Sequence, residues 1–171
     1  ENQVESGAIM EELGGADKGK YGRTASNQEY GLHEAPLIFE NGDPIADMLY
    51  TSNFAFFSLN EAAHATGNPV YFKALEKLSD FLTRIQVKSK TIKDLDGAWF
   101  RAFDYERWEY WASNADAGWG AWGTLTGWTQ SWIVATQVLV LQEQSFWELT
   151  KTSKIANNFD QKSSLMLEEY K

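Results

Sequence analysis

Leu59-Asn60-Glu61-Ala62-Ala63-His64-Ala65-Thr66-Gly67-Asn68-Pro69, continuing into Phe72-Lys73-Ala74-Leu75-Glu76-Lys77-Leu78-Ser79-Asp80-Phe81-Leu82, decides the architecture. Gly67 is a helix stop, because glycine enters the left-handed conformation without a Cβ penalty. Asn68-Pro69 restarts a helix at once, with asparagine as N-cap and proline at the first helical position. Downstream, Tyr71, Ala74, Leu75, Leu78, Phe81, Leu82 and Ile85 fall at three- and four-residue intervals, while Lys73, Glu76, Lys77, Asp80 and Arg84 take the other face. The spacing predicts an amphipathic outer helix with one wet side. Upstream, Asp43-Pro44 has the same start signature, and Ile45 to Ala65 is mostly apolar. Phe54, Phe56, Phe57 and Leu59 cover more than one face of that helix, which predicts an inner helix covered on several sides. Together the two form an αα-hairpin.

Working outward, residues 1–43 are loop-rich, punctuated by Gly14-Gly15, Gly19, Gly22, Gly31, Pro36 and Asn41-Gly42, with a short helical candidate at Ala8 to Leu13. After a polar link from Lys88 to Asp94 comes Asp96 to Trp111, dense in aromatics and charges. Its first part reads as loop or short strand and its second part is ambiguous. A Gly-rich stretch from Ala117 to Gly127 leads into an apolar segment, Leu125 to Glu143, predicted as a buried helix. Ile155, Phe159, Met166 and Tyr170 suggest a further outer helix in the tail, Ser153 to Tyr170. The inner and outer alternation thus recurs without a sequence-identical repeat.

The chain has 171 residues, 43% hydrophobic and 15% aromatic, which suits a single domain spanning 1–171 with a real core. Fifteen Lys and Arg against twenty-four Asp and Glu give a formal charge of -9, the wrong sign for a nucleic-acid backbone. With no cysteine, a disulfide framework, a thiolate metal site and a thiol nucleophile are all excluded. Glu1 to Glu5 are acidic and polar with no apolar run, so no signal peptide is expected, and the missing initial Met suggests a processed chain or a fragment. Ala117 to Gln142 is 26 residues without a charge. Its four glycines, its threonines and glutamines and the lack of a basic flank argue for a buried helix rather than a membrane span.

Several apparent motifs fail on their chemistry. Gly118-Trp119-Gly120-Ala121-Trp122-Gly123 has the spacing of a dinucleotide loop, but no strand precedes it and two indoles would fill the pyrophosphate space. Asp94-Leu95-Asp96-Gly97 places its glycine too early for a calcium loop, with no glutamate at the closing position. His33 and His64 are the only histidines, and without cysteine a zinc site would need carboxylates brought by the fold. No serine-nucleophile elbow is present. No metal and no cofactor is therefore expected.

Tryptophan is the compositional anomaly: seven of the eight lie in the thirty-four positions from Trp99 to Trp132. Asp104, Glu106, Glu109 and Asp116 are interleaved with Trp99, Phe103, Tyr105, Trp108, Tyr110, Trp111, Trp119 and Trp122. A pyranose offers a flat face of C–H groups that packs on an indole, and a rim of hydroxyls that hydrogen-bonds to carboxylates. Glycoside hydrolysis needs two carboxyl groups in different environments, one protonated and one ionised. The competing account is that the aromatics fill a core where helices meet. A further acidic span, with no Lys or Arg between Arg23 and Lys73, holds Glu29, Glu34, Glu40, Asp43, Asp47 and Glu61. It suits a solvated acidic surface or a cleft for neutral ligands.

The hairpin from Leu59 to Leu82 is similar to those of six-hairpin glycosidase-like α/α toroid proteins, in which a T-G-(D/N) turn joins an inner helix to an outer helix of the A-x-K-L-x-D-F-L type. Asp96-Gly97-Ala98-Trp99-Phe100-Arg101-Ala102-Phe103-Asp104 and Asp116-Ala117-Gly118-Trp119-Gly120 resemble the aromatic, carboxylate-bearing loops at the mouth of that toroid. The resemblance covers about residues 44–145. It implies an all-α fold, an arc of α/α hairpins with inner and outer layers, and carbohydrate processing by a secreted or periplasmic bacterial protein. Carried over by position, Asp104 is the general acid and Asp116 the base or charge stabiliser, with Glu109 in reserve. Trp99, Trp108, Trp111, Trp119 and Trp122 are the sugar platforms, and Arg101 is a substrate contact.

Six hairpins require far more helices than this chain has room for. The expectation is therefore a C-terminal portion of a longer protein, or a partial toroid completed by the remainder of a longer chain or by another subunit. The expected partner is an oligosaccharide or polysaccharide, with neither nucleic acid nor membrane involved. The rival readings are a non-catalytic glycan-binding or structural helical module, and an aromatic-lined barrel for apolar substrates. The latter lacks the aspartate-rich or zinc motif it would need.

Overall fold

Gly67 turns the chain as its position predicts. It holds φ 66, and its N–H donates to the Ala63 carbonyl oxygen at 2.8 Å, closing helix α1 (Thr51–Thr66). The Asn68 side chain accepts from Val70 N at 3.0 Å, and Pro69 opens helix α2 (Pro69–Ile85). A cap of this kind contributes about 1 kcal/mol. Leu75, Leu78, Phe81, Leu82 and Ile85 are buried, so the amphipathic reading of α2 holds. Each such side chain contributes about 1.5–3 kcal/mol on burial.

A computed structural model of the chain describes residues 3–9, 45–111, 127–151, 158–159 and 162–163. Besides α1 and α2 it contains strands β1 (Ile45–Asp47), β2 (Ala102–Asp104) and β3 (Glu109–Trp111), a 3-10 turn at Lys93–Leu95, and helices α3 (Trp128–Leu141) and α4 (Phe146–Lys151). The strands form one antiparallel sheet in the order β1-β2-β3, with Ile45 opposite Asp104 and Asp104 opposite Glu109. The fold is therefore mixed, helices with a small sheet, and the expected all-α arc of hairpins is incorrect.

The cause lies at Ile45-Ala46-Asp47. These residues do not continue a helix begun at Asp43-Pro44; they pair with Ala102–Asp104 and are fully buried. The helix starts four residues after Asp47, whose carboxylate accepts from Leu49 N at 3.1 Å, Tyr50 N at 2.9 Å and Thr51 N at 3.4 Å. An aspartate that gathers successive backbone donors makes a turn, so it ends the strand and aims the next helix. Three-residue strands are too short to show a period of two, so they left no pattern to find.

Ring and backbone contacts set the helix directions. Phe54 and Phe57 meet the Trp132 ring at 5.8 and 5.5 Å, and further along Glu61 Oε1 accepts from Phe146 N at 2.8 Å, so α1 and α3 run parallel. Helix α2 folds back on α1 after the Gly67 turn. One core joins helices and sheet, with Met48, Phe56, Leu78, Phe81, Trp99, Phe103 and Ile133 at its centre. Gln130 fixes the segment before β2 to α3, accepting from Trp99 N at 2.9 Å and donating to the Trp99 carbonyl oxygen at 2.7 Å.

Two further expectations change. Helix α1 buries Phe56, while Phe54 is 43% exposed, and α3 leaves Trp128, Val134, Val138 and Leu141 exposed, so neither helix is covered all round by the described residues. Ala8 and Ile9 belong not to a helix but to a turn closed by a Gln3–Ile9 bridge. Gly7, at φ 96, lies so close to the Lys77 carbonyl that any Cβ would collide with it, which docks this segment on α2. In the tail, Lys162 N donates to Asn158 O at 2.9 Å; the remainder of Ser153 to Tyr170 lies outside the described residues. Among the described residues no helix is long and apolar enough to cross a membrane.

Candidate functional site

Antiparallel register places Ile45, Asp47, Ala102, Asp104, Glu109 and position 111 on one face of the sheet, and Ala46, Phe103 and Tyr110 on the other. The second face packs into the core. The first gathers three carboxylates, two of which, Asp104 and Glu109, the sequence had nominated. Asp47 was missed as a member of this group, because nothing in its local pattern distinguishes it from the other acids between Arg23 and Lys73.

The three acids differ in what holds them. Asp47 and Asp104 are buried. Asp47 faces the Arg101 guanidinium, Nε to Oδ1 3.5 Å, with both side chains nearly sealed from solvent. Arg101 is thus an internal counter-ion, and its Cζ lies 5.8 Å from the Tyr50 ring. Asp104 Oδ1 accepts from Glu106 N at 3.0 Å and Arg107 N at 2.9 Å, and Oδ2 is 3.7 Å from Arg107 Nε. Its lone pairs are largely committed to the β2–β3 turn. Glu109 is half exposed and 3.9 Å from Arg107 Nη1, so it is the carboxylate of this face open to a ligand.

The turn itself, Tyr105 to Trp108, ends with Trp108 at φ 58. A bulky residue in the left-handed region costs about 1–2 kcal/mol and persists only where its surroundings impose it. Phe103 and Phe81 meet the indole edge to face at 5.1 and 6.1 Å, and Arg84 Cζ sits 4.4 Å from its centroid. Even so the residue is 39% exposed. Trp108 is an indole fixed in position and partly open to solvent, with Glu106, Arg107 and Glu109 around it in the chain.

Trp99 has the opposite character. It is 1% exposed and its indole N–H donates to the Leu82 carbonyl oxygen at 2.7 Å, which places it in the core. Trp111 occupies a position on the carboxylate face through its backbone. Asp116, Trp119 and Trp122 lie outside the described residues.

Burial pushes the Tyr110 phenol up from 10.0 to about 12. The neutral phenol is thus favoured in the folded chain, and the stability it confers is complete below pH 10 and lost as the pH rises from about 10 to about 12. Tyr110→Phe is expected to flatten the alkaline fall in stability over that interval. Tyrosinate absorbance should lose a component titrating near pH 12 in the same variant; an unchanged profile would show that burial does not raise the Tyr110 phenol.

Among the described residues no group of three or more His, Asp and Glu is arranged to hold a metal ion. Comparison with family models, with curated proteins and with solved structures finds no match to this chain.

Proposed function

We propose that the chain is a saccharide-binding portion of a carbohydrate-active protein, with Trp108 as its platform and Glu109 as its open hydrogen-bonding carboxylate. The observation that carries this reading is Trp108 itself, an indole held at φ 58 against Phe103, Phe81 and Arg84 and still 39% exposed, with Arg107 and Glu109 as its neighbours in the chain. Fixing an aromatic face before a ligand arrives removes part of the ordering cost of binding. The resemblance of the Leu59–Leu82 hairpin to those of six-hairpin glycosidase-like proteins supports the same class of ligand, and a secreted or periplasmic setting goes with it. Exposed Val134, Val138 and Leu141 on α3 suit burial against the remainder of a longer chain or another subunit.

Titration with neutral oligosaccharides, followed by tryptophan fluorescence, is expected to show saturable quenching. Trp108→Ala should weaken binding by about tenfold, the order expected from losing an aromatic stack with its buried area. Affinity unaffected by Trp108→Ala would remove the platform and with it this reading.

A second reading, glycoside hydrolysis, draws on Glu109, the open carboxylate of the sheet face, with Asp116, which lies outside the described residues, as the second carboxyl to test. Asp104→Asn is the weaker probe, because Asp104 holds the turn through two backbone donors and its loss would disturb Trp108 and Glu109 together. Release of reducing ends that Glu109→Gln or Asp116→Asn abolishes supports an enzyme. Binding without product supports a non-catalytic module.

A further inference from the structure

Helices α1 and α2 and the C-terminal end of α3 line a groove of about 580 Å³. Glu76 and Asp80, one helical turn apart on α2, and Glu143, just beyond α3, place three carboxylates on its lining, which among the described residues includes neither Lys nor Arg. Leu75 and Val140 give it apolar walls, and Phe72, 40% exposed, meets His64 edge to face at 5.5 Å. Asn60 also lines the groove. It is 0% exposed; its Nδ2 donates to the Gln144 carbonyl oxygen at 3.0 Å and to Glu61 Oε1 at 3.1 Å, while its Oδ1 accepts no hydrogen bond. A buried acceptor without a donor is costly, so a donor arriving from the groove is favoured there.

We propose that this groove binds an aliphatic polyamine. Such a ligand brings N–H donors for Asn60 Oδ1, ammonium charge for Glu76, Asp80 and Glu143, and methylenes for Leu75 and Val140. The ring of Phe72 adds a π face for an ammonium group. An anion is repelled by the three carboxylates, and a neutral polyol leaves them uncompensated. The proposal is independent of the saccharide site, with which the groove shares no lining residue.

Glu143 strengthens the assignment. It sits at φ 51, with Glu143 N donating to Val140 O at 3.1 Å and Gln144 N to Leu139 O at 3.0 Å, the helix-ending pattern in which glycine is the favoured residue. A carboxylate therefore stands where the backbone prefers no side chain.

Calorimetric titration of the 171-residue chain with spermidine at physiological salt tests the proposal. Saturable one-site binding is expected, weakened about tenfold or more in Glu76→Gln/Glu143→Gln and less than twofold in Asp94→Asn/Glu5→Gln, which removes the same charge elsewhere. Glu143→Gly alone should raise Tm and weaken spermidine binding, separating the ligand role from the structural one. No binding would overturn the proposal outright, and equal weakening by the two double variants, or equal competition by magnesium chloride and by putrescine, would overturn it in favour of diffuse attraction to an acidic protein.

Discussion

Asp47→Ala is expected to cost about 3–5 kcal/mol in urea unfolding, the range for removing one partner of a buried ion pair. The carboxylate serves two elements at once. It gathers the backbone N–H groups of Leu49, Tyr50 and Thr51, and it faces Arg101 at 3.5 Å, with side-chain exposures of 1% and 4%. Without it the turn into α1 loses its acceptor, and a guanidinium remains buried without this counter-charge. Against a typical domain stability of about 5–15 kcal/mol, the loss is a large fraction of the total. Removing the stranded charge as well, in Asp47→Ala/Arg101→Met, should recover part of it, because an apolar pair of suitable volume avoids the desolvation penalty. A single-variant cost below about 1 kcal/mol would show that the pair is solvated and that the turn is held by other contacts.

Trp99→Ala is expected to cost a similar amount, about 3–5 kcal/mol, as for other buried aromatic truncations. The indole fills the space between α2 and the segment leading into β2, and its N–H donates to Leu82 O at 2.7 Å. Trp99→Phe keeps much of the ring but leaves that carbonyl without its donor, so it should be destabilising by a smaller margin. Saccharide affinity separates Trp99 from Trp108. Where Trp99→Phe remains folded by circular dichroism, its affinity should equal that of the parent chain, whereas Trp108→Ala loses affinity without comparable loss of stability. Reduced affinity in folded Trp99→Phe would mean that the core tryptophan transmits to the ligand site.

The contrast between these two tryptophans marks the limit of sequence reading. Both were nominated as platforms because they share an aromatic, acidic segment, and composition assigns the segment one character. Burial depends instead on which side of a three-residue strand or turn each residue takes, and on what lies across from it. The same holds for the acids. Asp104 and Glu109 were nominated together, and they do share a sheet face, but one is tied into a turn while the other is open to solvent. Arg101, nominated as a substrate contact, instead pairs inside the protein with Asp47.

By itself the sequence determined the hairpin of α1 and α2, its Gly67 stop, its Asn68 and Pro69 start and the buried face of α2. These are local events, in which backbone conformation, capping and a 3.6-residue period act within a few positions of one another. It also singled out the aromatic, acidic segment from which the proposed site is drawn. Only the tertiary structure decided that Ile45–Asp47 is a strand, that three carboxylates from two distant segments share one face, and that a groove with an acidic rim forms between three helices. Each of these depends on pairing between residues tens of positions apart. Their free energy comes from contacts absent until the chain has folded, so no local pattern records them.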